Sequence, residues 1–141
     1  MSCVTFLTDE QRRRLHVAAL DGAPVSTFRS PEVTGSTVRR LAALARDPRP
    51  GIRASAAAHR HAPAELLHAL AEDEDTRVRV ALARNAWAGP DLLDRLAGDA
   101  VAVVRRWVAV HPNTPAQARD RLAQDEDPQV RAVLAMVTSS R

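Results

Sequence analysis

The chain has 141 residues, 45% of them hydrophobic and 26% charged, which is one domain's worth of sequence and too apolar for wholesale disorder. All of its 20 basic residues are Arg, set against 17 acids; with no Lys or Tyr to titrate, a net charge of +3 alone lifts the isoelectric point to 10.7, so that value says little about nucleic acid. A single cysteine, Cys3, excludes an intrachain disulfide and a thiolate-ligated cluster, while the absence of a signal-peptide pattern and of any run near ~18 apolar residues points to a cytoplasmic protein outside the membrane.

The charge is unevenly placed. Residues 1–46 carry seven Arg and four acids, whereas residues 47–141 carry thirteen of each, so the whole excess of three precedes Asp47. In chain order, Thr8 and Gln11 have the spacing of a capping box for a helix over residues 9–20, with Leu15, Ala18 and Ala19 as its inner stripe. Arg12, Arg13 and Arg14 lie on it and, with Arg29, Arg39, Arg40 and Arg46, form the one basic cluster, either a solvated face or a seat for an acidic partner. Residues 21–36 follow as a long loop. The next segment, "STVRRLAALARD", is expected to be a helix capped by Ser36 or Thr37, with Leu41 and Leu44 inward.

From Asp47 onward the chain divides into tiles that begin at Asp47, Asp73, Asp99 and Asp125, 26 residues apart without a gap. Each tile holds two short amphipathic helices. In the first helix Ile52, Val78, Val104 and Val130 occupy one inward column, and Ala56, Leu82, Val108 and Leu134 the column four residues on. In the second helix the inward stripe is Leu67 and Leu70, then Leu93 and Leu96, then the weaker Ala118 and Leu122. Asp75 and Asp127 are expected to cap first helices. Pro63, Pro90 and Pro115 suit the first turn of second helices, with Gly89 or Thr114 as caps. Leu41 and Leu44 stand 26 residues before Leu67 and Leu70, which makes residues 37–46 the second helix of an earlier tile. A two-helix tile cannot bury its own apolar face, so tiles must stack into a shared core. The expected organisation is a single all-α domain: residues 1–36 as an N-terminal helix and long loop, a degenerate first repeat, and residues 37–141 as an α-solenoid of 26-residue two-helix repeats.

The recurring order is an aspartate, then "VR", an alanine, an Asn or His, a proline turn and "LAxD". Residues His111, Pro112, Asn113, Thr114 and Pro115 show the turn most fully. Over residues 37–137 this resembles the leucine-rich repeat variant family and, more broadly, HEAT-like helical repeats. The resemblance implies a right-handed solenoid. Some proteins of the variant-repeat kind carry an N-terminal iron–sulfur domain, but with Cys3 alone that cofactor is not carried over, and no cofactor is expected. The resemblance also implies a role for Asp47, Asp73, Asp99 and Asp125, each six residues before Arg53, Arg79, Arg105 and Arg131: a hydrogen-bonded ladder between neighbouring tiles, a task that suits the bidentate guanidinium.

What remains is the wall of first helices facing away from the core. Ala54, Val80, Arg106 and Ala132 share one column, and Ala58, Arg84, Val110 and Met136 another, with Arg77 and Val103 alongside. A repeated wall is usually the binding surface of a stacked-repeat protein. Its mix of small apolar groups and arginines favours a protein, a peptide or an acidic-apolar ligand. Trp87, in a turn, is the candidate exposed anchor; Trp107 is expected to pack between tiles. His59 and His111 end first helices and lie two tiles apart, too far to share a metal ion, and no third ligand accompanies His59 and His61, so no metal site is expected. No nucleophile and base, phosphate loop or paired carboxylates mark an enzyme. The expected function is therefore a non-catalytic interaction or scaffold module with Arg77, Val80, Arg84, Trp87, Val103, Arg106 and Val110 as partner-binding residues. The alternative is nucleic-acid binding, or by analogy a DNA glycosylase-like HEAT-repeat protein using Trp87, Trp107, Asp99, Arg84 and Arg106, though the repeat body lacks the basic stripe a duplex binder needs. Val133, Leu134, Met136 and Val137, in a last tile without a second helix, raise the further expectation of a homodimer through the C-terminal end.

Overall fold

A computed structural model describes residues 33–139. The chain divides into two units, Met1–Glu32 and Val33–Arg141, and the described residues lie in the second. The expected helix at 9–20 with its Thr8 and Gln11 box, Cys3, Arg12 to Arg14, Arg29 and the loop as far as residue 32 fall outside them.

Every regular element among the described residues is a helix: α1 Gly35–Leu44, α2 Pro50–Ala57, α3 Ala64–Leu70, α4 Thr76–Ala83, α5 Pro90–Leu96, α6 Ala102–Val110, α7 Ala116–Ala123 and α8 Pro128–Ser139. The starts of α2, α4, α6 and α8, at residues 50, 76, 102 and 128, keep the 26-residue spacing of the aspartates. Most of these helices run two turns, too short to persist alone, so their stability comes from packing. The even-numbered helices pack side by side, α2 on α4, α4 on α6 and α6 on α8. The odd-numbered ones line the other side, where α5 meets α7 and each of α3, α5 and α7 contacts the even helix before and after it.

The core lies between these two layers and consists of the inward columns. Val78, Val104 and Val130 are fully buried, as are Ala56, Leu82 and Val108, with Leu134 nearly so. Leu67, Leu70, Leu93, Leu96, Ala118 and Leu122 are buried from the second helices. Ile52 is the exception in its column, only half-buried. Two further contributions were not read from the apolar spacing. Leu92 joins Leu93 and Leu96 in burial, and Ala57, Ala83 and Ala109 form a buried alanine column. A methyl side chain there lets successive even helices approach closely, which larger groups would prevent.

The helix ends depart from expectation in specific ways. α1 begins earlier than the 37–46 segment. Its cap is Thr34, whose Oγ1 accepts from the Thr37 N–H at 3.4 Å and lies 2.7 Å from the Ser36 hydroxyl, so neither Ser36 nor Thr37 is the cap. Pro63 and Pro115 are themselves the N-cap residues of α3 and α7, one position before the first turn; only Pro90 stands at the first helical position, behind Gly89 as cap. Thr114 does not cap α7. Its buried hydroxyl donates instead to the Val108 carbonyl at 2.6 Å, closing the end of α6. Asp75 caps α4 through the Arg77 N–H at 2.8 Å, and Asp127 accepts from the N–H groups of Gln129 and Val130 at 2.7 and 3.3 Å.

Candidate interaction surface

Three sets of polar columns must be separated before a binding surface can be identified, because two of them are occupied in holding the helices together. The first joins Asp and Arg. The Arg53 guanidinium spans two tiles: Nε and Nη2 donate to Asp73 at 2.6 and 2.9 Å, and Nη1 donates to the Asp47 carbonyl at 3.0 Å. Arg79 does the same between Asp99 (2.7 and 3.3 Å) and the Asp73 carbonyl (2.7 Å). Arg105 repeats it between Asp125 (2.7 and 2.9 Å) and the Asp99 carbonyl (2.7 Å). The residues six apart therefore meet through a backbone carbonyl. The carboxylate that each of these three arginines binds is the one twenty residues ahead, in the following tile, because Nε and Nη2 point along the stack while Nη1 reaches the carbonyl of its own turn. Each of Asp73, Asp99 and Asp125 also accepts from the N–H two residues on, at 2.9, 2.8 and 2.9 Å. Arg131 keeps only the carbonyl half, donating to the Asp125 and Glu126 backbones. Asp47 is bound by Arg49, which donates through its side chain and its backbone N–H at 2.9 Å each. These contacts favour the ionised carboxylate. Arg53 and Arg105 hold Asp73 and Asp125 below the usual carboxylate range. The Arg49 side chain, then its backbone N–H, takes Asp47 down to about 2, and Arg77 does the same to Asp75.

The second set is the column that sequence alone assigns to helix termination. Asn85 is buried; its Nδ2 donates to the Ala57 carbonyl of the preceding tile at 2.8 Å, and its Oδ1 accepts from the Trp87 N–H at 2.9 Å. His111, also buried, repeats both contacts. Its Nδ1 accepts from the Asn113 N–H at 3.1 Å, so Nε2 carries the proton and donates to the Asn85 carbonyl at 2.9 Å. Asn and His alternate there because each offers one acceptor and one donor at similar reach. The available signal was the recurrence of His59, Asn85 and His111 at one tile position. His59 accepts from the His61 N–H at 3.2 Å and the two rings lie 5.8 Å apart. Among the described residues no group of three His, Cys, Asp or Glu is placed to hold a metal ion.

The third set faces outward from the even helices. Val103, Arg106, Trp107 and Val110 have the i, i+3, i+4, i+7 spacing of one helix face. With Val133 of α8 they line an open, mainly apolar depression of about 330 Å³. Trp107 and Val110 are each 37% exposed. Trp107 is therefore partly exposed while still packing between tiles, against Arg84 of the tile before and beside Val133 of the tile after, and the signal for its exposed edge is that same spacing with Val103, Arg106 and Val110. Arg84, the C-cap residue of α4, lies over the Trp107 ring with its guanidinium carbon 4.6 Å from the ring centre. Arg106 Nη1 donates to the Gln129 side chain at 2.5 Å, while its Nε is buried without an acceptor.

The remaining sequence-predicted residues lie elsewhere. Arg77 is held by the Asp75 carboxylate at 2.8 and 3.0 Å. Val80 is half-buried against the core. Trp87 is 61% exposed and lines a different depression with Leu67, His68 and Leu92, its ring 5.5 Å from the Arg60 guanidinium carbon. The two tryptophan depressions share no residue. At the C-terminal end Leu134 is buried and Val133 and Val137 are half-buried; only Met136 of that group is strongly exposed, at 71%. Arg39 and Arg40 of the basic cluster are exposed on α1. Among the described residues no helix is long and apolar enough to cross a membrane.

The described residues are all-helical, and their buried and polar columns recur along the sequence. Residues 102–127, which hold α6, α7 and the turn into α8, match the model of the family described as Leucine rich repeat variant. No curated protein and no solved structure matches the chain.

Proposed function

We propose that the chain is a right-handed α-solenoid of 26-residue two-helix repeats and serves as a non-catalytic interaction module of the cytoplasm, binding a protein or peptide on the wall of even-numbered helices. Support for the solenoid comes from the 26-residue recurrence of helix starts, the sequential packing of α2, α4, α6 and α8, and two polar ladders that each link a tile to its neighbour. The observation that carries the binding reading is the exposed apolar depression around Trp107, flanked by arginines that take no part in either ladder. Large exposed aromatics beside Arg are the residue types that dominate binding energy at protein interfaces.

The glycosylase-like alternative finds less support. Asp99, its only acid, is held by the Arg79 guanidinium and the Val101 N–H, and Trp87 and Trp107 line separate depressions.

The test is site-specific photo-crosslinking in cells, with the cross-linking amino acid at residue 103 on the wall and at residue 120 on α7 as control. Protein adducts at 103 but not at 120 are expected. Adducts that disappear with nuclease treatment would transfer the surface to nucleic acid. Equal labelling at both positions would remove the wall from consideration.

A further inference from the structure

The arginines beside the Trp107 hollow lack the carboxylate partner of the ladder arginines, as do Arg119 and Arg131, which donate to backbone carbonyls. Arg53, Arg79 and Arg105 are matched to carboxylates in the ladder, Arg77 to Asp75, Arg95 to Glu72, and Arg121 to Asp94. Arg84 and Arg106 have no carboxylate within ion-pair distance among the described residues: Arg84 rests on the Trp107 ring, and Arg106 reaches only a neutral amide. No acid lines the depression between them. Arg84 and Arg106 thus border an apolar hollow that no acid lines, in a segment whose total charge is balanced, residues 47–141 having thirteen Arg and thirteen acids.

Arg106 adds a second observation. Its guanidinium is parked: Nη1 is on Gln129, and the buried Nε has no acceptor. A buried donor left without a partner is unfavourable, so an acceptor that reaches Nε adds a bond this side chain lacks. A carboxylate arriving at the hollow offers two oxygens and accepts the bidentate pairing that Gln129, with a single oxygen, cannot.

We propose that the partner segment is an acidic-apolar peptide: an aliphatic or aromatic side chain seated against Val103, Trp107, Val110 and Val133, with Asp or Glu within a few residues of it pairing with Arg84 and Arg106. This rests on the wall being an interaction surface. The charges set the sign of the partner, and the hollow sets its anchor. On binding, Arg106 leaves Gln129 for the incoming carboxylate, and Arg84 keeps its place over Trp107 while its outer N–H groups take a second acid. The pairing is exposed at its rim, so affinity falls as salt screens it.

The experiment pans a displayed library of random twelve-residue peptides on the full chain, then measures the enriched peptides, made synthetically, against the parent protein and the variants Arg84→Gln with Arg106→Gln, Trp107→Ala, and Asp120→Ala as a remote control. Arg84, Trp107 and Asp120 are exposed and Arg106 is half-buried, and circular dichroism melts confirm that each variant is folded. Expected are peptides with acids close to an apolar residue, a loss of tenfold or more in affinity for both wall variants, no change for Asp120→Ala, and weaker binding at higher salt. Neutral or basic peptides lost with Trp107→Ala but indifferent to the arginine changes would overturn the acidic partner and leave the wall as a binding surface. Peptides indifferent to every wall change, or no enrichment at all, would overturn both. Tight binding of a fluorescent DNA duplex that the double arginine change abolishes would replace the peptide with a polyanion.

Discussion

Arg105→Met removes one partner of the most buried ion pair in the ladder. The Arg105 and Asp125 side chains are 8% and 6% exposed, so solvent screens their interaction little. The substitution leaves the Asp125 carboxylate with one backbone N–H and strips the Asp99 carbonyl of its side-chain donor. Truncating one member of a buried pair costs about 3–5 kcal/mol, much of it from the charge left behind, and Met retains enough of the aliphatic stem to limit cavity formation. Glu126, 87% exposed at 3.3 Å, adds little to the loss. A value near the lower end, about 3 kcal/mol, corresponds to a drop of roughly 10 °C in Tm for a domain of this size. Asp125→Leu alone is also destabilising. The double change removes both charges and is expected to recover part of the loss, giving a coupling of about 2 kcal/mol in the four-protein cycle. The assay is urea unfolding of all four proteins followed by circular dichroism. Because the pair joins neighbouring tiles, the single variants are also expected to broaden the transition as the last helix separates from the rest. A coupling below about 0.5 kcal/mol with an unchanged midpoint would refute the reasoning, since independent sites add within that margin.

The second ladder predicts an ordering: Asn85→Ala, which orphans the Ala57 carbonyl and the Trp87 N–H, destabilises by about 1–3 kcal/mol in thermal melts, whereas Asn85→His, the residue of the neighbouring tiles, keeps more of the stability than Ala does. Acid should unfold the protein in a defined window. Asp47 and Asp75 are lowered to about 2, and Asp73 and Asp125 are lowered as well. A carboxylate depressed in the folded state contributes stability that is fully present above its unfolded value near 4 and is lost as pH falls toward the folded value. Melts should therefore fall steeply between about pH 4 and 2; a loss of stability already complete by pH 5 would contradict the assignment. Trp107→Ala removes a partly exposed ring stacked under Arg84; it should lower Tm while leaving the protein folded, and should weaken partner binding. Light scattering of the purified chain should give a monomer: among the described apolar groups at the C-terminal end only Met136 is strongly exposed, at 71%, far short of the ~800 Å² per partner of a stable interface. A concentration-dependent dimer that Met136→Asp dissolves would restore the end-to-end association.

The helices and their inward faces were legible because the same apolar spacing recurs at 26-residue intervals, and a column that holds Val78, Val104 and Val130 leaves little choice of orientation. The alanine column at Ala57, Ala83 and Ala109 was harder to see, since a small residue carries almost no hydropathic signal even where close helix approach makes it indispensable. Partner choice in the Asp–Arg ladder was hidden for another reason. Each arginine has one aspartate six residues behind and another twenty ahead, and only the path of the side chain along the stack decides that the first supplies a carbonyl and the second a carboxylate. The Asn and His column reads as a helix end because these residues do end helices; that they also donate to a carbonyl of the preceding tile depends on the distance between tiles. For the candidate site, the wall columns identified Val103, Arg106 and Val110, yet they also took in Arg77, whose charge Asp75 neutralises, and missed Trp107.

The most direct test of the binding wall is to map a bound peptide by amide and side-chain chemical shifts, titrating a library-selected peptide into isotopically labelled protein. The largest shifts are predicted at the Trp107 indole N–H and at Arg84, Val103, Arg106, Val110 and Val133, with the Asp–Arg ladder and α7 unmoved. Shifts centred on Trp87 and its depression, or spread along the odd-numbered helices, would contradict the account and move the binding surface to another face.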